Sequence, residues 1–489
     1  MTGAVAALAA LVVGLLVGER CGPGAAPAAL GAGVALAVVA GATRGRAGAA
    51  LLVVAATLLG GAGMQRALDG AVHSPLSVAA RRYTPGTAVG TLVDDPSGPR
   101  FAVRALLRTA TFDGRDAGGR TLLAVASGDA ASRLRVLEAG DRITVIGTLG
   151  PLDGYDARAR WHHAVARLRV DDLVDFTGPT DPVLRAANAL RRAVLRGAVG
   201  LPSTERALLE GFLLGDTRSI PESVVDDFRA SGLGHLLAVS GANVAFVLAL
   251  AAPVLRRLGL TARLAGGITV LVVFGAMTRW EPSVLRAVAM AGLVMLATYL
   301  GRPASAARVL VVAATLLLLA DPFLVHSVGF LLSGAACAGI VTLSSRIAAR
   351  LPGPQPLREA VGVTLGAQLG VTPVLLPVFG TVPLVALLAN LLAAPVVGPL
   401  TVWGLLAGVV GGVLGPDVAR VLQLPTLALL GWVRTVASLA ARLPIAIDTR
   451  AAWGIAALAV AAAAVGRLRS RGGVRGGREG PGAALPGAA

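Results

Sequence analysis

The sequence predicts a polytopic α-helical membrane protein, about 12 transmembrane helices with a small extracytoplasmic β domain inserted near the front. Three observations carry that prediction. Apolar residues make up 55% of the chain and charged residues only 15%, with mean hydropathy +0.75. Apolar runs of about 15–22 residues recur along most of the length. Over 65–181 those runs vanish and short alternating stretches replace them.

The first elements are apolar runs near 4–18, 25–42 and 47–63. The first resembles a signal peptide in length, but its charges, Glu19-Arg20, follow the run and two more runs come at once. Residues 1–64 therefore read as membrane anchors. Arg44 and Arg46 place the loop between the second and third runs inside, so the N-terminus is inside and the chain after residue 64 is outside.

In 65–181, strands are expected at Thr87–Val93, Phe101–Leu107, Thr121–Ala126, Arg142–Leu149 and Ala164–Val170. Between Arg142 and Leu149 the odd positions are mostly apolar, as in a half-buried strand. Turn residues separate the strands: Asp94-Asp95-Pro96-Ser97-Gly98, Asp113-Gly114 and Gly118-Gly119. Five short strands in about 100 residues suit a small closed barrel of OB type, with a meander sandwich as the alternative.

Residues 182–233 read as linker helices. An amphipathic helix from Pro182 to about Ala198 carries Arg185, Arg191, Arg192 and Arg196 among apolar residues, which suits a helix lying on the membrane surface. A second helix spans 203–214 and ends at Gly215-Asp216; a third begins at Pro221 and stops near Gly232.

Residues 234–466 read as the main membrane body. Spans are expected at 234–255, 264–278, 282–300, 306–320, 325–343, 359–379, 382–398, 400–414 and 452–466. Every second loop is basic: Arg256, Arg257 and Arg263; Arg302 and Arg308; Arg346, Arg350 and Arg358. These loops fall inside if the β domain is outside. The basic, disordered tail 467–489 is then cytoplasmic as well. This count requires 420–441, with Arg434 in its middle, to lie at the interface without spanning.

Composition excludes several chemistries. All 44 basic residues are arginine, which removes a Walker P-loop and a lysine Schiff base. Cys21 and Cys337 lie far apart, and the five histidines are scattered, so neither a disulfide framework nor a zinc site is expected. His162-His163 would point to opposite faces of a strand, and Trp161 reads as core or rim. No cofactor is expected. The net charge of +17 sits in the membrane portions, because 65–181 holds 15 Arg against 14 acids. The positive-inside rule accounts for it before any nucleic-acid surface does.

Polar groups at membrane depth are costly and therefore informative. His235, Ser240 and Asn243 fall on one face if 234–245 is a continuous helix. They are candidates to line a path, with interhelical hydrogen bonding as the plainer alternative. Pro282 starts a helix in which Ser283, Arg286 and Met290 share a face. Arg286 needs a carboxylate, a carbonyl or an anionic ligand; Glu281 is the plain partner and a phosphate of a passing polyanion the sharper one. Asp321 before Pro322 is a further acidic point, and His326, Gln368 with Thr372, and Asn390 complete the set. Pro373 and Pro395 would interrupt apolar segments, as discontinuous helices do near transport paths.

Taken together, Gly211-Phe212-Leu213-Leu214-Gly215-Asp216 and Phe228-Arg229-Ala230-Ser231-Gly232-Leu233-Gly234-His235-Leu236-Leu237-Ala238-Val239-Ser240-Gly241 resemble the opening of the competence domain of the ComEC family. So do Pro282-Ser283-Val284-Leu285-Arg286-Ala287, Gly301-Arg302, Asp321-Pro322, Ala367-Gln368 through Pro373, and Asn390-Leu391-Leu392-Ala393-Ala394-Pro395, in that order over about 205–400. Asn243 and Leu331 stand where the family often has His and Gln. The resemblance implies a bacterial inner-membrane channel that passes single-stranded DNA to the cytoplasm in natural transformation. It implies channel-lining roles for His235, Ser240, Asn243, Ser283, Arg286, Gln368 and Asn390. Expected partners are single-stranded DNA, the lipid bilayer, a cytoplasmic ATPase and DNA-receptor proteins, with room for a homo-oligomer. Many relatives add a metallo-β-lactamase-like domain whose His-rich motif this sequence lacks, so no nuclease activity is expected. A small-solute or lipid transporter and a structural membrane platform remain the alternatives.

Overall fold

The computed structural model describes residues 2–24, 26–43, 45–98, 102–443 and 446–448. The expected span 452–466 and the tail 467–489 lie outside the described residues, as does Arg44.

Three helices open the chain: α1 (Thr2–Cys21), α2 (Pro27–Ala42) and α3 (Arg46–Val72). α1 packs tightly along α3 because Gly14 and Gly18 present no side chain there. A Cβ on either would run into the backbone of Thr57 or Gly61. A short helix, α4 (Pro75–Arg81), capped by Ser74, leads into the β domain.

The strands are β1 (Pro85–Leu92), β2 (Ala102–Phe112), β3 (Arg115–Ser127), β4 (Arg142–Gly150) and β5 (Ala164–Thr177), with helix α5 (Gly128–Leu134) between β3 and β4. They close in the order β1-β2-β3-β5-β4, with β3 and β5 parallel and the other pairs antiparallel. This is an OB-like barrel. Ile143, Val145 and Leu149 point inward beside Val103, Leu107, Leu122 and Leu168, while Ile146 faces out, as the alternation requires. Asp113 and Gly114 both take positive φ (51° and 74°) and join β2 to β3 in a tight hairpin turn.

Next come α6 (Pro182–Gly197), α7 (Ser203–Leu214), α8 (Glu222–Ala230) and α9 (Gly234–Leu237). The membrane body continues with α10 (Gly241–Leu255), α11 (Leu260–Met277), α12 (Pro282–Tyr299), α13 (Ala306–Ala320), α14 (Val328–Ala348), α15 (Gln355–Phe379), α16 (Ala386–Leu414), α17 (Pro416–Leu422) and α18 (Leu424–Ala441). A two-stranded ribbon pairs β6 (Thr381–Pro383) with β7 (Ala446–Asp448). Among the described residues, eight helices are long and apolar enough to cross a membrane: α1, α3, α11, α12, α14, α15, α16 and α18. The shorter apolar helices α2, α10 and α13 accompany them.

Four sequence expectations are corrected. The segments 382–398 and 400–414 form one helix, α16, which runs on through Pro395 and Pro399. α15 likewise runs through Pro373 and Pro377, so neither helix is discontinuous. Neighbouring helices take up what a mid-helix proline frees. The stretch 420–441, expected at the interface, forms a full-length apolar helix from Leu424 on. α18 has the length and apolarity to cross, and β7 beyond it pairs with β6 at the start of α16, so the chain returns to that side. Arg434, in the middle of α18, pairs with Glu205 of α7 at 2.7 Å. Finally, the arginines of α6 do not all face outward: Arg191 is buried with Ala187, Asn188 and Val194 where the helix packs against α11 and α16, while Arg185, Arg192 and Arg196 are exposed.

What α6 buries is the joint between barrel and membrane body. Arg191 is 3% exposed. It donates to the carbonyls of Leu214 (3.0 Å) and Met277 (2.7 Å) and to Asp95 Oδ2 (2.8 Å). Arg279, after α11, donates to Asp95 Oδ1 (2.9 Å) and to Asn188 Oδ1 (2.7 Å). Asn188 Nδ2 donates to the Ala139 carbonyl of the barrel at 3.0 Å. Asp95, in the β1–β2 loop, thus holds two buried guanidiniums. Burial alone would raise its pKa, but Arg191 and Arg279 hold it below the usual carboxylate range. Its neighbour Asp94 accepts from the Leu106 N–H, yet burial pushes it up to about 6.

Asp95→Ala leaves two buried cations without a carboxylate and is expected to destabilise the fold by about 3–5 kcal/mol. Thermal unfolding of the purified protein checks this. The raised pKa of Asp94 has the opposite sign. Its stabilising contribution is full below 3.8, where the carboxyl is protonated in both states, and is lost as pH rises to about 6. Asp94→Asn should therefore raise the melting temperature at pH 7.5, an advantage that shrinks as pH falls below about 6 and is gone below 3.8.

Candidate functional site

The expected continuous helix over 234–255 is broken. α9 ends at Leu237, Ala238 to Ser240 are extended, and α10 restarts at Gly241. His235, Ser240 and Asn243 therefore do not share a helix face. There is no proline at the break; side-chain hydrogen bonds hold it open. Ser283 Oγ of α12 donates to the Val239 carbonyl at 2.6 Å. Asn243, 3% exposed, donates Nδ2 to the Phe212 carbonyl of α7 at 2.8 Å. Its Oδ1 accepts from Ser240 Oγ (3.2 Å) and from Thr401 Oγ of α16 (3.4 Å). The Val239 carbonyl freed by the missing turn is thus satisfied from α12, and Asn243 ties the restart of α10 to α7 and α16. A cavity of about 10 Å³ beside the break is lined by Phe212, Ser240, Asn243 and Thr401, among others, room for about one water. His235 stands apart: its ring is exposed, with Nδ1 3.3 Å from the Gly232 carbonyl.

Arg286 projects from the second turn of α12 and is 5% exposed. Neither acid considered as structural or as a partner of a buried arginine, Glu281 or Asp321, pairs with it. Nε and Nη2 reach Ser333 Oγ (2.9 and 2.6 Å), and Nη1 reaches Cys337 Sγ (2.8 Å) and Met290 Sδ (3.2 Å). Ser333 and Cys337 lie one turn apart on α14, which fits the guanidinium fork. All of these partners are neutral, and among the described residues no carboxylate lies within ion-pair distance of the guanidinium. Gly241, the first residue of α10, lies against it: a Cβ there would sit 3.0 Å from Nη2. The positive end of α10 and the guanidinium thus meet at one point.

The remaining candidates are placed separately. Glu281, half-buried, precedes α12 near Gly215. Asp321 caps the 3₁₀ turn Pro322–His326 through the Phe323 N–H (2.9 Å) and pairs with His163 of the barrel at 3.1 Å. Gln368 on α15 and Asn390 on α16 are half-buried, and their side chains form no hydrogen bond among the described residues. α10 packs on α12, α12 on α14, α14 on α15, α15 on α16 and α16 on α10, so the helices bearing Asn243, Arg286, Gln368 and Asn390 follow one another around a ring. Close approach of α14 and α15 depends on Gly339, where a Cβ would strike Gly366 and Gly370.

Sequence reasoning missed Asp95, Asn188, Arg191 and Arg279 as a joint, and Ser333, Cys337 and Thr401 as partners. Ser333 and Cys337, four apart in an apolar segment, were the one readable signal.

Residues 212–471, just over half of the chain, match the family described as Competence protein. The chain belongs to this competence protein family. The match includes the broken helix and the Arg286 cluster, and bears out the resemblance read from the motifs. Within the family's reach, the chain is 32% identical over 255 residues to the uncharacterized protein YcaI of Escherichia coli (strain K12), covering 47% of this chain and 33% of that protein. It is 28% identical over 220 residues to ComE operon protein 3 of Bacillus subtilis (strain 168), covering 44% of this chain and 27% of the other. This competence protein thus spans about a third or less of the length of these curated relatives. No solved structure matches it.

Removing the brace at the break has a graded cost. Asn243→Ala leaves the buried Phe212 carbonyl and the Ser240 hydroxyl unpaired, while Thr401 keeps the Val397 carbonyl, and should cost about 1–3 kcal/mol of stability; Ser283→Ala removes one donor and should cost about 0.5–1.5 kcal/mol. Denaturation of the detergent-solubilised variants reads both.

Proposed function

We propose that this chain takes part in DNA uptake during natural competence and forms the membrane path through which a single strand reaches the cytoplasm. The observation that carries this reading is Arg286: a buried guanidinium with neutral protein partners only, set beside the α10 N-terminus. An arginine at membrane depth costs about 2.5–3.5 kcal/mol and persists where it has work to do. A fixed positive charge without a counter-ion suits a phosphate that passes without staying.

The family match and the ring of α10, α12, α14, α15 and α16 support the same reading. Gln368 and Asn390, which keep free amide groups on that ring, would meet the strand as well. On this reading the barrel faces the outside and the basic loops and both termini face the cytoplasm of the bacterial cell. The chain conducts and performs no bond-breaking step; a cytoplasmic ATPase or the proton gradient supplies the energy, and DNA-receptor proteins deliver the strand.

Uptake of labelled DNA in a deletion strain complemented with this gene tests the proposal. At matched protein levels Arg286→Ala should lower uptake by about ten- to a hundredfold, the loss of one charge-assisted hydrogen-bonding group, and Arg286→Lys should lower it less. Undiminished uptake by Arg286→Ala overturns the reading.

A further inference from the structure

The barrel touches the membrane body a second time, through the chain between β4 and β5. This connection holds the 3₁₀ segment Gly154–His162, whose end meets the 3₁₀ turn Pro322–His326 between α13 and α14. Trp161 is the centre of the contact. Its ring stacks on His326, with centroids 3.9 Å apart and planes 21° apart, and meets Phe323 edge-on at 5.6 Å. The Arg160 guanidinium lies over the same indole, 4.4 Å from its centroid. His326 Nε2 stands 3.0 Å from Glu19 Oε2, near the end of α1. His163, in a left-handed backbone conformation (φ 63°), brings Nε2 to 3.1 Å from Asp321 Oδ2 and its ring to 5.0 Å from Phe323. Anchors, barrel and membrane body thus meet at two histidine–carboxylate pairs.

Each pair is an ion pair only while the imidazole carries its second proton, and histidine is the side chain that changes charge near neutral pH. For His326 the dependence is sharpest. Nε2 is shut off from solvent and forms no aligned hydrogen bond among the described residues, so charge is what draws it to Glu19. An imidazolium is also attracted to the Trp161 face, and a neutral ring gains less there. The neighbouring charges come from every element around the contact. α1 brings Glu19, Arg20 and Cys21. α3 brings Arg66 and Asp69, the latter paired with His73 at 2.8 Å, and β3 brings Arg120, which lies against Gly70. The connection brings Arg158 and Arg160, which oppose a further cation, Tyr155 on Arg104, and Asp156, held by Arg104 and Arg167. Arg308 of α13 and Arg346 of α14 lie near the far ends of their helices. His162 is held below the usual histidine range, by desolvation first and then by His163.

We propose that this seat is a proton-operated latch: with His163 and His326 protonated it clamps the barrel to the α13–α14 turn and to α1, and with both neutral it lets the connection go while the Asp95 joint still holds. The sign follows from linkage. A histidine whose charged form gains a carboxylate on seating favours the seated state at low pH, and that contribution is lost as pH rises. The joint does not follow the same course, because Asp95 stays below the usual carboxylate range and the two guanidiniums keep their charge. Asp94, which does titrate at about 6, lies in the β1–β2 loop at the joint and not at the seat. The latch concerns how the barrel is held and does not rest on what the membrane path carries.

The test is hydrogen exchange of the full-length protein in nanodiscs between about pH 5.5 and about pH 8.5, expressed as protection factors so that the intrinsic pH dependence of exchange cancels. Protection over 158–163 and 323–327 should fall about tenfold as pH rises, the effect of one pK unit of linkage, while β2 stays level. His163→Asn combined with His326→Gln should flatten that profile; asparagine tolerates the left-handed backbone at 163. Should that pair fail to fold, Glu19→Gln with Asp321→Asn should flatten it as well, since asparagine can still cap the Phe323 N–H. Protection that is flat or rises with pH in the wild-type protein, a fall shared by β2, or a fall that persists in either folded double variant overturns the latch. None of these outcomes bears on whether DNA uptake depends on Arg286, so the two readings fail separately.

Discussion

Asp95 and the two guanidiniums it holds are the constraint on which the architecture depends. One carboxylate from a barrel loop is shared by Arg191 of α6 and by Arg279 between α11 and α12, with Asn188 closing the set against the Ala139 carbonyl. Two buried cations against one anion would be unstable alone. The carbonyls of Leu214 and Met277 and the Asn188 amide oxygen take up further donors. The partners come from the barrel, from α6 and from the end of α11 and the turn after it, so the pairing fixes barrel, linker helices and membrane body in one orientation. The second contact, through Trp161, His163 and the turn after α13, has a ring stack and a histidine–carboxylate pair and completes the seating.

Inside the membrane body the same economy holds polar atoms in place. At the break between α9 and α10, Ser283 from α12 satisfies the Val239 carbonyl, while Asn243 at the start of α10 is tied to the Phe212 carbonyl and to Thr401. Arg286 shows the contrasting case. Its hydrogen bonds are filled by Ser333 and by two sulfurs, while its charge stays uncompensated. Hydrogen bonding and charge neutralisation are separate requirements, and a site for a transient anion meets the first and leaves the second open.

The parts of this structure legible in the sequence are those set by local pattern. Alternation at Ile143, Val145 and Leu149 fixed the strands, Asp113-Gly114 fixed a turn, and the apolar runs at 282–300 and 306–320 became α12 and α13 nearly to the residue. Features set by distant partners were not legible. Proline at 395 read as a break, yet α16 continues through it; the true break, at 238–240, carries no proline and depends on side chains far along the chain. Arg191 read as a headgroup-facing charge, because the acid that buries it lies 96 residues away. For the candidate site, the residue types at 235–243 and 286 were readable, but their partners were not: Arg286 looked toward Glu281 in sequence and reaches Ser333 in space.

Asp95 comes from the barrel and both guanidiniums come from the chain that follows it, and this imposes an order on assembly. The barrel is translated before α6 and before the α11–α12 loop, so its carboxylate must already be presented by a closed β1–β2 loop when each arginine arrives. A barrel that closes late leaves Arg191 and Arg279 unneutralised at an apolar joint, a state open to degradation. Maturation of the membrane half is thereby made contingent on folding in the aqueous half.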